Sequence, residues 1–232
     1  MKAGVKMIMT GVAVVLFSAL VLVILCSVKF HYETSKMSPV VTKQIAENVF
    51  VVKDDFVNMY LIKNQDTYIA VDAGIHIKKI REELAEMNIS PENVQAVFLT
   101  HAHSDHTGGL PLFTNAEVYL SKKEKFRPNK KINTLDDNEL INISGIKVQC
   151  VYTPGHTAGS VCYRINDNLL FVGDTLSIKN GKAAVFNKFF NKDTKEQTES
   201  IKKLSQLKNI EYIYTAHYGC LENNNDFYAD FN

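Results

Sequence analysis

Paired cysteines are missing from this sequence of 232 residues, which has four cysteines and no C-x-x-C spacing. Cys26 lies in an apolar N-terminal stretch, so an odd number of cysteines is left for the rest of the chain. A disulfide framework or a thiolate zinc knuckle requires sets of suitably spaced cysteines, and the sequence therefore indicates neither. Cys220, three residues after His217, is interpreted as a small apolar filler rather than as a metal ligand or a nucleophile.

The sequence also lacks an excess of charge of one sign. Lysine and arginine together number 26 against 25 aspartates and glutamates, which gives a formal net charge of +1. Nucleic-acid-binding proteins concentrate basic residues in a patch or stripe. The lysine-rich stretches at 122–125 and 130–131 carry acidic or polar neighbours and are interpreted as solvated faces. We therefore expect no nucleic-acid partner.

Charge is absent altogether from residues 8–28, which read IMTGVAVVLFSALVLVILCSV. At a rise of about 1.5 Å per residue, a helix of this length spans roughly 30 Å, the thickness of a bilayer core. A cleaved signal peptide has a shorter apolar region that ends in small residues, and Leu25-Cys26-Ser27-Val28 fits that pattern poorly. An uncleaved anchor is predicted, with secretion after cleavage as the alternative.

The orientation of this anchor is predicted from the lysines beside it. Lys2 and Lys6 precede the apolar stretch, whereas Lys29 and Lys36 follow it together with Glu33. The positive-inside bias favours a cytoplasmic N-terminus, so the remaining chain is expected outside the cytoplasm as part of a single-pass cell-membrane protein. The odd number of cysteines argues mildly against an oxidising exterior.

After an anchor at 1–28 and a linker at 29–42, residues 43–232 are predicted to form one domain. Short β-rich runs separated by turn residues predict an antiparallel meander with strands at 49–52, 59–62 and 68–71. Apolar residues at helical spacing predict a helix over 76–88. Further strands are predicted at 94–99, 117–120, 140–143, 146–151, 160–165, 169–172 and 211–215.

A second helix is predicted near residue 194. Thr194, with Gln197 three residues later, has the spacing of a capping box. The apolar residues that follow, Ile201, Leu204 and Leu207, are expected to face inward. This order of strands and helices is typical of an α/β or α+β domain in which helices cover the outer faces of sheets.

A histidine cluster follows the predicted strand at 94–99 directly, in the run His101-Ala102-His103-Ser104-Asp105-His106. Side chains alternate along an extended chain, so His101 and His103 are expected to point to one side and share a metal ion. Asp105 and His106 offer a carboxylate and a third imidazole to a second ion, and zinc prefers such ligands. Gly108-Gly109 is expected to let the backbone bend sharply.

Three further candidate ligands each follow a predicted strand. His156 ends the run Thr-Pro-Gly-His at 153–156, Asp174 follows Gly173, and His217 follows the strand at 211–215. Binding groups commonly lie on loops at the ends of rigid strands. His31 and His76 lack such a context and are interpreted as solvated or satisfied side chains.

These motifs resemble those of the metallo-β-lactamase-fold hydrolases, in their glyoxalase-II-like branch, over roughly residues 45–220. The resemblance implies an α+β fold, a four-layer αββα sandwich with a dinuclear site between its sheets, here preceded by one transmembrane helix. It implies that one metal ion is held by His101, His103 and His156, and the other by Asp105, His106 and His217. It also implies that Asp174 bridges the two ions and that Asp72 supports the site.

The activity implied by the resemblance is that of a dinuclear zinc-dependent hydrolase, with iron or manganese as alternative metals. A hydroxide bridging the ions would attack an ester, thioester, lactone or related bond of a small molecule, and Asp105 would carry the proton. His103 stands where the diiron oxygen-reducing relatives have a glutamate, and Asp174 stands where the best-known β-lactamases have a cysteine. Neither oxygen reduction nor penicillin hydrolysis is therefore expected.

Two other functions stay open on the sequence. The first is a sulfur dioxygenase with one iron ion held by His101, His156 and Asp174, and the second is a non-catalytic, metal-stabilised binding module. The segment at 176–191, which contains Phe186, Phe189 and Phe190, is either an apolar lip of the pocket or part of the core. Tyr218 is a candidate hydrogen-bond partner for the substrate.

Overall fold

The computed structural model describes residues 2–128, 130–224 and 226–231, apart from the side chains of residues 2–11 and 13. The chain divides into two compact units, of which the first ends at Met37 and the second begins at Ser38. The first unit contains a single long helix, α1 (Lys2–Thr34). The second contains fifteen strands and three α-helices among the described residues.

Helix α1 is the one described helix that is long and apolar enough to cross a membrane, over Val14–Thr34, although a signal sequence would meet the same test. It continues through residues 29–34 of the predicted linker. No proline or glycine interrupts these residues, and the Thr34 hydroxyl donates to the Phe30 carbonyl at 3.0 Å. The division at 28 and 42 stays a prediction, and the Lys2 and Lys6 side chains lie outside the described ones.

The first sheet of the second unit has seven strands in the spatial order β1-β2-β3-β4-β5-β6-β7. Neighbours from β1 to β4 are antiparallel, so the predicted meander is confirmed, and neighbours from β4 to β7 are parallel. The strands are β1 (Lys43–Ala46), β2 (Val49–Asp54), β3 (Val57–Asn64), β4 (Thr67–Val71), β5 (Val94–Phe98), β6 (Glu117–Ser121) and β7 (Ile132–Leu135).

The second sheet has six strands in the order β15-β14-β11-β10-β9-β8, of which only β11 and β14 are parallel neighbours. A separate hairpin joins β12 to β13 and occupies the first part of the predicted lip segment. The strands are β8 (Leu140–Ile143), β9 (Ile146–Tyr152), β10 (Val161–Ile165), β11 (Leu169–Gly173), β12 (Leu176–Lys179), β13 (Lys182–Val185), β14 (Tyr212–Thr215) and β15 (Cys220–Glu222).

Two helices cover the outer faces of the sheets. Helix α2 (Ile77–Glu86), predicted over 76–88, buries Ile80 and Leu84 against the first sheet. After the single turn α3 (Ser104–Thr107), helix α4 (Thr194–Ser205) packs on the second sheet through Ile201.

The predicted capping box at α4 is wrong. The N-cap is Asp193, whose Oδ1 accepts hydrogen bonds from the backbone N–H groups of Lys195 and Glu196. A carboxylate so placed satisfies two of the unpaired N–H groups at a helix start, and Thr194 is therefore already helical. The Gln197 side chain points inward and is fully buried, so it plays no part in the cap.

The core between the sheets is rich in aromatic residues. Tyr60 and Phe98 from the first sheet meet Tyr163 and Phe171 from the second. A buried tyrosine hydroxyl needs a partner, and the Tyr163 hydroxyl donates across the interface to the carbonyl oxygen of Leu99 at 2.8 Å. Helix, sheet, sheet and helix form four layers, so the predicted αββα sandwich is confirmed.

Candidate metal centre

All the candidate ligands lie at the ends of strands along one edge of the sandwich. Because β9, β11 and β14 run in the same direction, their carboxyl ends meet at this edge. His156 lies beyond β9, Asp174 directly follows β11, and His217 lies beyond β14. The histidine cluster follows β5 of the first sheet, so segments far apart in sequence come together.

Two glycines of the turn after His106 allow the close approach of another loop. A Cβ atom on Gly109 would lie 2.0 Å from the Ala73 carbonyl oxygen, and one on Gly108 would lie 2.4 Å from that of Ile75. Their φ angles, −80° and −61°, are open to any residue. The chain turns at these glycines, as predicted, but backbone packing rather than the dihedral angles is what excludes a side chain here.

Three histidines bring one ring nitrogen each to a common point, and we call His101, His103 and His156 group A. His103 Nδ1 lies 3.0 Å from His101 Nε2 and 2.9 Å from His156 Nε2, and the two Nε2 atoms are 3.2 Å apart. Ligands about 2.0–2.1 Å from a tetrahedral zinc ion are separated by about 3.3 Å. The spacing of group A therefore fits a metal ion.

A second set, group B, consists of Asp105, His106 and His217. Asp105 Oδ2 lies 3.5 Å from His106 Nε2 and 3.4 Å from His217 Nε2. The two imidazoles are buried, whereas the Asp105 side chain remains 19% exposed. Group B thus offers one carboxylate oxygen and two ring nitrogens, a donor set that also suits zinc.

Asp174 lies between the two groups. Its Oδ2 is 3.3 Å from His156 Nε2 and 4.0 Å from His101 Nε2, in group A. Its Oδ1 is 3.1 Å from His217 Nε2 and 3.4 Å from His106 Nε2, in group B. One oxygen of the same carboxylate faces each group, which is the placement required of a ligand shared by two ions.

The hydrogen-bond partners of the group B imidazoles fix which nitrogen is open to a metal. His217 Nδ1 lies 2.7 Å from the Phe56 carbonyl oxygen, and His106 Nδ1 lies 2.8 Å from Asp72 Oδ2. Both partners can only accept, so each Nδ1 carries a proton and each neutral ring has its lone pair on Nε2. Asp72 thereby supports the site as the resemblance implied, and its Oδ1 accepts from the Thr100 backbone N–H.

Two polar atoms in the centre are buried without a hydrogen-bond partner, His106 Nε2 and Asp174 Oδ1. Buried polar atoms are almost always paired, because losing hydration without compensation is costly. Both atoms face the interior of group B, where a cation would satisfy them. The donor set and these unpaired atoms together fit a metal cofactor.

Burial and charge act on the two groups in opposite ways. Burial lowers the pKa of His156 to about 4 and that of His101 well below its usual value. Burial also opposes protonation of His217, but the nearby carboxylates of Asp174 and Asp105 outweigh it and raise the His217 pKa to about 9. In the metal-free protein, His101 and His156 are therefore neutral at pH 7, and protons on the group B histidines balance the buried carboxylates.

The aromatic residues of the predicted lip lie beside the centre. The Phe186 ring is 5.2 Å from the His156 ring and 5.7 Å from the His217 ring, centroid to centroid, and it is almost fully buried. Phe190 packs 6.1 Å from Phe186, and Phe189 is 40% exposed. Phe186 is therefore part of the packing around the ligands, whereas Phe189 reaches the surface. The Tyr218 ring lies 5.9 Å from that of Phe186, and its contact with substrate stays a prediction.

Several contacts to the candidate ligands were not predicted. Phe56, in the turn between β2 and β3, stacks on His217 in addition to holding Nδ1. Asn191 bonds to His156 Nδ1, and Gln197 donates to the Asp174 carbonyl oxygen. No sequence motif marks these residues. The spacing of Gln197, four residues before Ile201, does indicate the inward face of α4. His76 lies apart from the centre and is satisfied by Asp54, as predicted.

Neither group A nor group B includes a cysteine. Cys150 and Cys162 are buried and form no disulfide. Cys220 is partly buried and packs against the core between the sheets, in agreement with its interpretation as a filler.

Comparison with known proteins agrees with this geometry. The family model described as the metallo-beta-lactamase superfamily matches residues 52–125. A hydroxyacylglutathione hydrolase from Aeromonas hydrophila is 30% identical over 197 residues, which cover 83% of this chain and 70% of that relative. A probable polyketide biosynthesis zinc-dependent hydrolase from Bacillus subtilis is 41% identical over 115 residues, or 47% of this chain and 49% of that relative, so about half of its length is matched.

A solved structure has the same arrangement of layers. The metallo-beta-lactamase family protein from Thermus thermophilus superposes with a TM-score of 0.62 at 19% identity, covering 76% of this chain and 75% of its own. At that identity the likeness shows the fold, and the sequence match to the Aeromonas enzyme shows the relationship. The chain belongs to the metallo-beta-lactamase superfamily.

Proposed function

We propose that this protein is a metal-dependent hydrolase that holds two zinc ions and cleaves an ester, thioester, lactone or related bond in a small molecule. Group A would hold one ion, group B the other, and Asp174 would reach both. Five imidazoles and two carboxylates suit zinc, and they also accommodate iron or manganese. When bound, the ions would supply a Lewis acid and lower the pKa of a water molecule towards about 7.

The observation that carries this proposal is the position of Asp174. With an oxygen 3.1 Å from His217 Nε2 and the other 3.3 Å from His156 Nε2, its carboxylate faces both groups at once. A single-iron dioxygenase needs only His101, His156 and Asp174, which leaves group B without a role. A structural zinc site is usually closed by four ligands, and two three-residue groups with a shared carboxylate do not match that pattern.

Asp105 is the residue that we propose to carry the proton. Burial opposes its ionisation, but the His106 charge and a hydrogen bond from His217 outweigh burial and lower the Asp105 pKa. The carboxylate is therefore ionised at neutral pH and can accept a proton. Because 19% of its side chain is exposed, Asp105 is also open towards solvent and a leaving group, to which it would pass that proton.

We also propose that residues 8–28 anchor the protein in the cell membrane with its second unit outside the cytoplasm. The uncharged stretch in α1 and the lysines that precede it support this arrangement. Protease added to intact cells should then digest the second unit. A unit that resists until the cells are lysed would contradict the orientation, and a unit released into the medium would indicate cleavage.

Metal analysis combined with a substrate panel tests the hydrolase proposal on the full chain in detergent. We expect two zinc ions per chain and turnover of at least one ester, thioester, lactone or phosphodiester, lost on chelation and restored by zinc. The panel should include an acylglutathione, since one relative is named a hydroxyacylglutathione hydrolase. One iron per chain with oxygen uptake would favour the dioxygenase instead, and an inert protein with full metal content would favour the binding module.

A further inference from the structure

Two amide side chains lie behind group A and bond to each other reciprocally. Asn191 Nδ2 donates to Gln197 Oε1 at 2.7 Å, and Gln197 Nε2 donates back to Asn191 Oδ1 at 3.1 Å. Gln197, on the first turns of α4, is fully buried, and Asn191 is partly buried in the segment before this helix. We call these two residues the amide pair.

The contacts of the amide pair leave each amide only one orientation. Asn191 Nδ2 also donates to the Phe186 carbonyl oxygen at 3.0 Å, and Gln197 Nε2 also donates to the Asp174 carbonyl oxygen at 3.0 Å. A carbonyl oxygen can only accept, so the nitrogen of each amide must face these atoms. Rotating either amide by 180° would place oxygen against oxygen at two contacts.

This orientation directs a single acceptor at His156. Asn191 Oδ1 lies 3.2 Å from His156 Nδ1, and an oxygen at that position requires the ring to carry its proton on Nδ1. The lone pair of the neutral imidazole is then on Nε2. That nitrogen faces His101 and His103 within group A. The amide pair therefore presents His156 in the form that can bind a metal ion.

The backbone around the amide pair holds the His156 loop against α4. The Asp193 N–H donates to the Gly155 carbonyl oxygen at 2.8 Å, and the Lys192 N–H donates to that of His156 at 3.1 Å. Gly155 has a φ of +134°, and a Cβ atom on it would lie 2.3 Å from Gln197 N. The loop and the helix start are thus in direct backbone contact, which gives the side-chain bonds a fixed frame.

We infer that Asn191 and Gln197 are positioning residues of the metal centre, which fix the ring form of His156 and hold the backbone of Asp174. The inference rests on the ligand assignment proposed above. Partners that fix the second nitrogen of a ligating histidine typically change metal affinity about 10- to 100-fold when they are lost. Group B obtains the same support from Asp72 and the Phe56 carbonyl, whereas His156 of group A obtains it from two neutral amides.

Substitution Gln197→Leu tests this inference, with Ser200→Ala as the matched control. Ser200 lies on the same buried face of α4 and donates to the Pro154 carbonyl oxygen at 2.7 Å, without touching a candidate ligand. Zinc affinity of the full chain is measured by competition with a chelating dye, and thermal unfolding is recorded on the metal-free protein. We expect one of the two zinc ions to bind about 10- to 100-fold more weakly in Gln197→Leu. Ser200→Ala should stay within about twofold of the wild type even if its unfolding temperature falls.

A second variant removes the acceptor itself and keeps the test independent of α4 packing. Asn191→Ala, at a partly exposed position, should weaken the binding of the same zinc ion to a similar degree. The double variant Asn191→Ala/Gln197→Leu should lose less zinc affinity than the two single losses combined, because both residues act through the hydrogen bond to His156. Additive losses would overturn the inference, as would wild-type zinc affinity in Asn191→Ala.

The variant Gln197→Glu probes the ring form directly. A carboxylate cannot donate to Asn191 Oδ1 or to the Asp174 carbonyl oxygen, so we expect these two contacts to break and the Asn191 oxygen to move away from His156 Nδ1. In ¹⁵N spectra of the zinc-loaded wild type, His156 should show a protonated Nδ1, and Gln197→Glu should lose that signal together with zinc affinity. An unchanged His156 signal in Gln197→Glu would overturn this inference but not the proposed function. A wild-type chain that binds no zinc would overturn the proposed function as well.

Discussion

At the residue scale, the two histidines of group B depend on partners that determine their protonation. His106 and His217 donate from Nδ1 to Asp72 and to the Phe56 carbonyl, so their Nε2 atoms face the carboxylates of Asp105 and Asp174. With no cation between them, these buried carboxylates favour a second proton on each ring. The raised pKa of both histidines follows from that competition, in which burial acts against the charges.

Zinc binding should therefore release protons near neutral pH. The His217 pKa is raised to about 9, so in the metal-free protein at pH 7.5 this ring is protonated and must lose its proton to become a ligand. Zinc affinity should rise with pH up to about 9 for the same reason. Calorimetry in two buffers of different ionisation enthalpy should show at least one proton released per chain at pH 7.5. The release should fall by about one proton in His217→Gln, and an unchanged release in that variant would contradict the assignment.

Asp174→Asn should reduce metal content as well as activity. The amide keeps the size of the carboxylate but places an NH₂ group against either His156 or His217, both of which offer lone pairs to a metal. We expect fewer than two zinc ions per chain and kcat/KM lower by at least about 100-fold. Asp167→Asn is the control, because Asp167 lies on an exposed turn and pairs with Lys147. This variant should keep the metal content and the kcat/KM of the wild type. Full metal content in Asp174→Asn would argue against a shared ligand.

At the scale of elements, the loops that carry the centre are fixed by backbone contacts. The Ala73 N–H donates to the His106 carbonyl at 2.8 Å, and the Gly109 N–H donates to that of Gly74 at 3.2 Å. These bonds join the loop after β4 to the turn after β5. A site built from several loops keeps its geometry only if the loops are tied to each other in this way.

Gly109→Ala should consequently destabilise the protein more than a change at a glycine with unusual dihedrals. A Cβ atom at 109 would meet the Ala73 carbonyl oxygen at 2.0 Å, so one of the two loops must move. We expect a loss of about 3 kcal/mol in the free energy of unfolding. Gly181→Ala, with a φ of +74° but nothing within 4 Å of its Cβ, should cost only about 1 kcal/mol. Denaturant unfolding of both variants measures these losses. A larger loss in the free energy of unfolding in Gly181→Ala than in Gly109→Ala would refute the argument from packing.

Most of the elements that form the core could be predicted from apolar patterns, and three of the strands that were missed share a physical cause. Strands β1, β7 and β15 lie at sheet edges, have three or four residues each and are partly exposed, so they carry no alternating apolar pattern. At α4, Thr194 and Gln197 imitate a capping box, and only tertiary packing turns Gln197 inward to the amide pair. The spacing of Gln197 from Ile201 indicates the inward face of α4, but spacing along the chain does not identify Asn191 as the partner of Gln197.

At the scale of the whole molecule, the sandwich brings together candidate ligands that lie up to 116 residues apart, from His101 to His217. The sequence predicted these residues because each follows a strand, and strands of like direction end at one edge. The tautomers, the two unpaired buried atoms and the orientation of Asp174 depend on distances across the two sheets. Such distances become available only when both halves of the domain are folded together.

Because the ligands come from both sheets, metal binding should stabilise the domain as a whole. The unfolded chain has no preformed site, so zinc that binds the folded form raises its stability by about 1.4 kcal/mol per site for each tenfold rise in free zinc above the dissociation constant. Thermal unfolding of the full chain in detergent should shift upward accordingly. Magnesium, which requires oxygen ligands, should have little effect, since five of the seven donors are imidazoles. His76→Ala, which removes one member of the separate Asp54, Asp55 and His76 cluster, should leave the zinc effect intact, and loss of that effect in this variant would place the stabilising ion outside groups A and B.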